Sequence, residues 1–276
     1  MNATAIITGA SSGIGADYAR YLASLGYNLI ITARRKNKLL HLSNEITKTY
    51  NVTVEIEPLD IGNKTDLFIL YKKINQLKNI EVLVHAAGFS TTGFFEQSDP
   101  EIMEQQIYLH DISATLLTRA VLPEMTNRNK GYIILISSMA SFMTTLDFTL
   151  YSSTKLFLNM LATGLRDELA GTDVKILSVC PGAVKTPFWD TEYFKDSKYA
   201  AIPKAFWITT GDVIKESWHH IQKKNSPVMI PGYKNRLFIN FLNIPVTGYA
   251  TKLFLGYLAR KNIKNQRKKL IKMSFK

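Results

Sequence analysis

Seven short runs of β-branched and other apolar residues, separated by longer stretches of helical periodicity, restrict this chain to very few folds. The runs are TAIIT, NLIIT, VTVEIE, EVLVHA, GYIILIS, VKILSV and PVMI, the last near 227–230. Helices are predicted over 13–26, 36–50, 63–78, about 100–125 and about 149–171. The runs are almost wholly apolar, as expected of strands covered on both faces, and each is followed by a segment long enough to cross over and return in parallel. The pattern predicts an α/β fold, a doubly wound parallel sheet of about seven strands with helices on both faces. No repeat or Gly/Ser linker divides it, so the 276 residues should form one domain, 1–232, and an appendage, 233–276.

Ligands of open parallel sheets sit at the carboxyl ends of the strands. The first strand runs straight into TGASSGIGADYA, with Gly9, Gly13 and Gly15 at Gly-x-x-x-Gly-x-Gly spacing and Ser11, Ser12 and Ile14 between them. Glycines there permit a tight turn and close backbone approach, and the N–H groups of the helix start attract a pyrophosphate. A strand-to-helix turn that needs glycine for its conformation alone is the competing reading. After the second strand, where an acid would bind the ribose of NAD, stand Ala33, Arg34 and Arg35. Guanidinium groups suit a 2′-phosphate, so NADP(H) is expected over NAD(H), the alternative being a solvated helix start.

YSSTK places Tyr151 and Lys155 four residues apart, hence on one helix face, near enough for the ammonium to act on the phenol. With the glycine loop and the strand-end serines, this pattern resembles the short-chain dehydrogenase/reductase family, of the single-domain type, from residue 4 to about 232. The resemblance implies a Rossmann-type NAD(P)-binding catalytic domain. Leu59-Asp60, with Ile61, stands at the family's adenine contact, and HAAG, His85 to Gly88 with Ala87 and Gly88 at the cofactor, stands where Asn-Asn-Ala-Gly is usual. ISSMAS supplies Ser138, 13 residues before Tyr151, and CPGAVKTPF supplies Pro181, Gly182, Val184 and Thr186 at the nicotinamide. The implied reaction is hydride transfer between NADP(H) and a carbonyl or secondary alcohol. Ser138 would hold the oxygen, and Tyr151 would exchange the proton. Lys155 would bind the nicotinamide ribose and, with the oxidised cofactor, lower the tyrosine pKa.

Beyond HAAG, one further position departs from the family pattern. The asparagine expected in the long helix, which the family uses to shape a proton-carrying water chain, falls on His110, beside Asp111. Histidine can donate and accept, so His110 is either a fourth catalytic member or a replacement that fills space. Between the nicotinamide segment and the last strand come Phe188, Trp189, Tyr193, Phe194, Tyr199, Phe206 and Trp207, at the place of the family's substrate lid. Phe142, Met143 and Phe148 would form the facing wall, giving an apolar pocket for a fatty, steroid-like or aromatic ketone or aldehyde. Aromatics anchoring the lid to the core are the alternative for any one of them.

Composition removes several function classes. One cysteine, Cys180, allows neither an intramolecular disulfide nor a cysteine metal site, and no metal is expected. No basic leader precedes the first strand, so a cytoplasmic location is the default. The net charge of +12 is concentrated late: from Ser217 to Lys276 there are 13 Lys plus Arg and no acid. Nothing there resembles a nucleic-acid reading motif, and no nucleic-acid partner is expected. Leu237 to Leu258 is about long enough to span a bilayer, but Asn240, Asn243, Pro245 and Lys252 interrupt it. Leu253, Phe254, Tyr257 and Leu258 followed by eight basic residues over 260–276 suit a helix lying on an anionic membrane surface, or else a helix packed on protein with a solvated basic end. The two long helices resemble those with which the family builds homodimers and homotetramers. A catalytically idle dinucleotide-binding sensor is the alternative to an enzyme.

Overall fold

The computed structural model describes residues 3–143, 147–190, 203–224 and 226–243. Seven parallel strands form one sheet: β1 (Thr4–Thr8), β2 (Asn28–Thr32), β3 (Val54–Glu57), β4 (Ile80–His85), β5 (Gly131–Ile136), β6 (Val174–Val179) and β7 (Val228–Met229). Their spatial order is β3-β2-β1-β4-β5-β6-β7, so the direction of winding reverses between β1 and β4. This is the doubly wound, Rossmann-type sheet, and the reversal opens a crevice at the strand ends.

Alternation along each strand assigns side chains to two cores. Ala5, Ile7, Val82, Val84, Ile134, Ile136, Leu177 and Val179 face one way, against α1 (Gly13–Ser24) and α2 (Lys36–Thr49). Ile6, Leu83, Ile133, Leu135 and Ile176 face the other way, against α3 (Lys64–Gln76), α5 (Ser113–Asn127) and α6 (Thr149–Glu168). β1, β2, β4, β5 and β6 are thus buried on both sides, which is why their sequences are largely apolar, whereas the edge strand β3, VEIE, alternates and is only partly buried.

Two elements differ from the sequence expectation. The stretch expected as one helix near 100–125 is α4 (Pro100–Ile107), a π-helical turn at Tyr108–Ile112, then α5. The π turn contains His110, and such turns tend to occur where a side chain is re-aimed for function. A further helix, α7 (Thr210–Lys223), covers the first core through Val213, Ile214, Trp218 and Ile221. Its start is a capping box, with Thr209 accepting from the Asp212 N–H while Asp212 accepts from the Thr209 N–H. Tyr18 of α1 hydrogen-bonds Ser217 of α7 in the interior.

The chain divides into two compact units, Met1–Gly232 and Tyr233–Lys276. In the second, α8 (Tyr233–Asn243) exposes Tyr233, Leu237 and Phe241, spaced four apart on one stripe. Among the described residues no helix is long and apolar enough to cross a membrane. The predicted tail residues Pro245, Lys252, Leu253, Phe254, Tyr257, Leu258 and those over 260–276 lie outside the described set.

Candidate active site

The first crossover builds a cradle that only glycine permits at two points. Gly9 has φ +68°, and a Cβ there would stand 2.7 Å from the Ala87 nitrogen. At Gly15 a Cβ would lie 2.5 Å from the Gly9 carbonyl oxygen. Ser12 precedes α1 without capping it by its side chain, and the first turn holds no acid. The helix start is therefore left with N–H groups and a dipole suited to an anion. Thr186 places its methyl 3.1 Å from where a Gly13 Cβ would be, so the loop after β6 arches over the glycine loop.

At the end of β2, Arg35 donates from Nε and Nη2 to Ser11 Oγ at 3.1 and 2.7 Å, and from Nη2 to Ser12 Oγ at 2.8 Å. Its fork lies on hydroxyls, beside the phosphate cradle. Arg34 Nη1 stands 3.8 Å from Asp60 Oδ2, a largely exposed and therefore weak pair. The Asp60 backbone N–H is in turn held by Asp66 Oδ2 at 2.7 Å. Ile61 is buried in the second core, so only its main chain could face a ligand. Ile14 packs at the edge of the first core.

The other expected site residues converge from the far side of the crevice. Ser138 follows β5 and caps a 3₁₀ turn, its Oγ accepting from the Ala140 N–H at 3.1 Å. The Met139 N–H donates to the Pro181 carbonyl at 2.9 Å, which ties this turn to the Pro181-Gly182 loop. Val184 bridges to Ile208, and its carbonyl accepts from Trp189 Nε1 at 3.0 Å. Lys155 is buried and donates to the Ile136 carbonyl at 3.0 Å, with its ammonium 5.6 Å from the Tyr151 ring centre. Both Lys155 Nζ and His110 Nε2 flank Gly88, at 3.3 and 2.9 Å from the place of a Cβ. Tyr151 is surrounded by rings, with centroids of Phe148, His110 and Phe188 at 5.7, 5.8 and 6.3 Å. Phe188 meets Trp189, which meets Trp207. Phe142 and Met143 are half-buried in the turn after Ser138 and Phe206 is half-buried after Lys204, whereas Tyr193, Phe194 and Tyr199 lie outside the described residues.

Burial governs the electrostatics of the free protein. The Tyr151 phenol is pushed up to about 12 by desolvation, and the hydrogen bond with Ser138 opposes that rise. Lys155 is itself lowered to about 8 by burial, partly offset by Asp111, whose carboxyl is raised to about 7 by its own burial. In the free protein the tyrosine therefore holds its proton at neutral pH, the state from which reduction of a carbonyl begins.

His110 is fully buried, and its surroundings settle its tautomer. Nε2 accepts from the Phe89 N–H at 3.2 Å, so in the neutral ring Nδ1 carries the proton and donates to Thr154 Oγ1 at 2.8 Å. Thr154 donates onward to the Tyr151 carbonyl at 2.9 Å. Both nitrogens are thus engaged in holding the backbone around Gly88 and Tyr151. His85, whose place in HAAG carries no signal of this role, does similar work: Nε2 donates to the Leu109 carbonyl at 3.1 Å and Nδ1 accepts from Thr8 Oγ1 at 3.1 Å. Thr8 Oγ1 accepts from the Ala86 and Ala87 N–H groups, each at 3.1 Å. The two imidazoles thereby link β1, the end of β4, the π turn and α6.

Desolvation drives His110 well below the ordinary histidine range and His85 to about 3. With an unfolded value near about 6.5, the unfolded chain takes up protons that the folded chain refuses, so stability falls as pH drops below that value. Asp111 acts in the opposite sense, because its raised carboxyl favours the folded state on protonation. Comparing the protein with His85→Asn isolates the histidine: between pH 7 and pH 5 the parent should lose about 1–2 kcal/mol more than the variant in urea unfolding. Parallel pH profiles would refute a buried neutral His85.

With this geometry in view, comparison with known proteins identifies the family. The short chain dehydrogenase family profile matches residues 3–196. The chain belongs to the short-chain dehydrogenase family. It is accordingly an NAD(P)-dependent oxidoreductase. An uncharacterised oxidoreductase of Staphylococcus saprophyticus is 36% identical over 192 residues, covering 68% of this chain and 82% of that protein. Among solved structures, a short-chain dehydrogenase from Sphingobium yanoikuyae in complex with NADPH is 28% identical, with TM-score 0.79 over 90% of this chain and 95% of that one. The bulky-bulky ketone specific alcohol dehydrogenase from Comamonas testosteroni is 26% identical, with TM-score 0.75 over 91% of this chain and 94% of that one.

Proposed function

We propose that the enzyme reduces an apolar ketone or aldehyde with NADPH, within a catalytic domain formed by residues 1–232. The observation that carries this reading is Tyr151 set against the rings of Phe148 and Phe188, interacting with Ser138 and one helical turn from Lys155. When bound, the reduced nicotinamide supplies a hydride to the carbonyl carbon. Ser138 Oγ–H orients the carbonyl oxygen, and Tyr151 Oη gives its proton to that oxygen as charge develops there. Lys155 restores the proton and holds the cofactor ribose. The rings of Phe148, Phe188, Trp189 and Trp207 exclude water and favour an apolar substrate, and the Comamonas relative is named as specific for bulky-bulky ketones.

The cofactor residues are Gly9, Ser11, Ser12, Gly13, Ile14 and Gly15 at the phosphates; Arg34 and Arg35 at the 2′-phosphate; Asp60 and the Ile61 main chain at the adenine; and Ala87, Gly88, Pro181, Gly182, Val184 and Thr186 toward the nicotinamide. His110 is assigned a supporting place, holding Gly88-Phe89 and Thr154. NADPH is preferred because the Arg35 fork rests on hydroxyls, and Arg34 can leave its weak pair with Asp60. Nucleotide fluorescence titration should show NADPH binding at least about tenfold tighter than NADH, and Arg35→Ala should remove most of that difference. Equal affinities would overturn the preference. Consumption of NADPH with a panel of fatty, steroid-like and aromatic carbonyls tests the reaction, and no turnover on any of them would overturn it.

The same reading assigns the enzyme to the cytoplasm as a homo-oligomer, paired through the exposed Ile112 of the π turn and Leu156, Phe157 and Met160 of α6. The stripe on α8 and the basic segment after it would rest on an anionic membrane surface. Sedimentation of the full chain, alone and with phosphatidylserine vesicles at low and high salt, tests both. A monomer that ignores the vesicles would refute the two together.

A further inference from the structure

Tyr151, Lys155 and Asn159 follow one another at four-residue spacing along α6, so all three lie on one helix face. Asn159 is 5% exposed, and both the nitrogen and the oxygen of its amide are hydrogen-bonded. Nδ2 donates to Ser141 Oγ at 2.8 Å, while Oδ1 accepts from Ser178 Oγ at 2.7 Å and from Cys180 Sγ at 3.2 Å. Ser141 passes the chain on, donating from Oγ to the Ser138 carbonyl at 2.6 Å. Because the Ser141 proton goes to that carbonyl, Ser141 can only accept from the amide, which fixes the amide's orientation. One side chain therefore joins three segments that meet at the reacting atoms: α6, the turn bearing Ser138, and the end of β6 leading into Pro181-Gly182.

We propose that Asn159 is a positioning residue that sets the place of the Ser138 hydroxyl relative to Tyr151. It touches neither substrate nor cofactor. It acts through Ser141 on the Ser138 main chain, and the Ser138 hydroxyl in turn eases ionisation of the Tyr151 phenol. A buried network in which every member is satisfied holds its geometry more tightly than any one of its bonds would. Removing the donor leaves Ser141 with competing acceptors and frees the Ser138 carbonyl. The inference rests on the assignment of Ser138 and Tyr151 to the reaction.

Asn159→Asp keeps the size and the acceptor oxygen but loses the donor to Ser141, and Ser141→Ala cuts the same link while leaving the bonds of Asn159 to Ser178 and Cys180. With NADPH and 4-nitrobenzaldehyde, each should lower kcat roughly 10- to 100-fold, the cost of a small misplacement, with NADPH affinity within about threefold of the parent. The double variant should be no slower than the slower single one, because both break one chain of bonds. A second readout needs no turnover. In full-length enzyme carrying ¹³Cζ-labelled tyrosine and saturated with NADP⁺, the resonance lost in Tyr151→Phe should titrate with a midpoint raised by at least about half a pH unit in either variant. An unshifted midpoint in a folded variant would overturn the proposal, as would additive effects or a parallel loss of NADPH binding. If the parent itself reduces no carbonyl, the reductase reading fails on its own, and the tyrosine titration still decides the role of Asn159.

Discussion

Tyr151→Phe is expected to lower turnover by at least about a thousandfold while leaving NADPH affinity within about twofold. The phenyl ring keeps its place among Phe148, His110 and Phe188, so the variant removes one oxygen and little packing. That oxygen is the proton donor, and the pocket has no ready substitute. Ser138 Oγ is a far weaker acid, and Lys155 Nζ is turned to the Ile136 carbonyl. With the phenol pushed up to about 12, the parent should stay active across neutral pH in the reductive direction, because its donor remains protonated. Stopped-flow oxidation of NADPH in the presence of an aromatic ketone measures the loss. Turnover within tenfold of the parent would remove Tyr151 from the chemistry.

Gly9→Ala should unfold the protein at a markedly lower temperature and abolish cofactor binding. Two costs combine: a positive φ that disfavours any side chain, and a Cβ 2.7 to 2.8 Å from the backbone of Ala86 and Ala87. Neither side can yield, because Ala86 and Ala87 are held by Thr8 Oγ1 and β1 is paired with β4 through its whole length. A loss of about 3 kcal/mol would lower Tm by roughly 6–12 °C for a domain of this size. Gly26→Ala is the matched control. Its φ is +86°, but a Cβ meets nothing within 4 Å, so only the conformational cost of about 1 kcal/mol applies. Differential scanning calorimetry of the two variants, followed by NADPH titration, separates the clash from the φ strain. Equal Tm values would show that the close approach to Ala87 does not constrain the fold.

Much of this architecture was legible in short stretches of sequence because its causes are local. Seven apolar runs with crossover-length spacers admit little besides a parallel sheet covered on both faces, and the β1–α1 turn needs glycine wherever it is met. Four-residue spacing puts Tyr151 and Lys155 on one face of any helix. That same rule reaches Asn159, but its part depends on Ser141, Ser178 and Cys180 arriving from other segments, and no spacing along α6 announces them. The π turn at Tyr108–Ile112 likewise has the pattern of plain helix, since apolar periodicity does not reveal one inserted residue. α7 is absent from the sequence-based expectation, although its Thr209/Asp212 capping box and the apolar positions 213, 214, 218 and 221 carry the signal.

What only the tertiary structure decided is solvation. The residue pair Tyr151 and Lys155, with the oxidised cofactor, suggests a lowered tyrosine pKa; in the free protein enclosure raises the phenol, because desolvation is the largest effect there. For His110, residue type gives the capacity to donate and accept, whereas the lowered pKa comes from burial and the two partners, the Phe89 N–H and the Thr154 hydroxyl, come from other segments. Which residues could carry the chemistry follows from side-chain type and spacing along the chain. Their protonation and orientation follow from neighbours distant in sequence, because the cost of a buried charge depends on every group that replaces water around it.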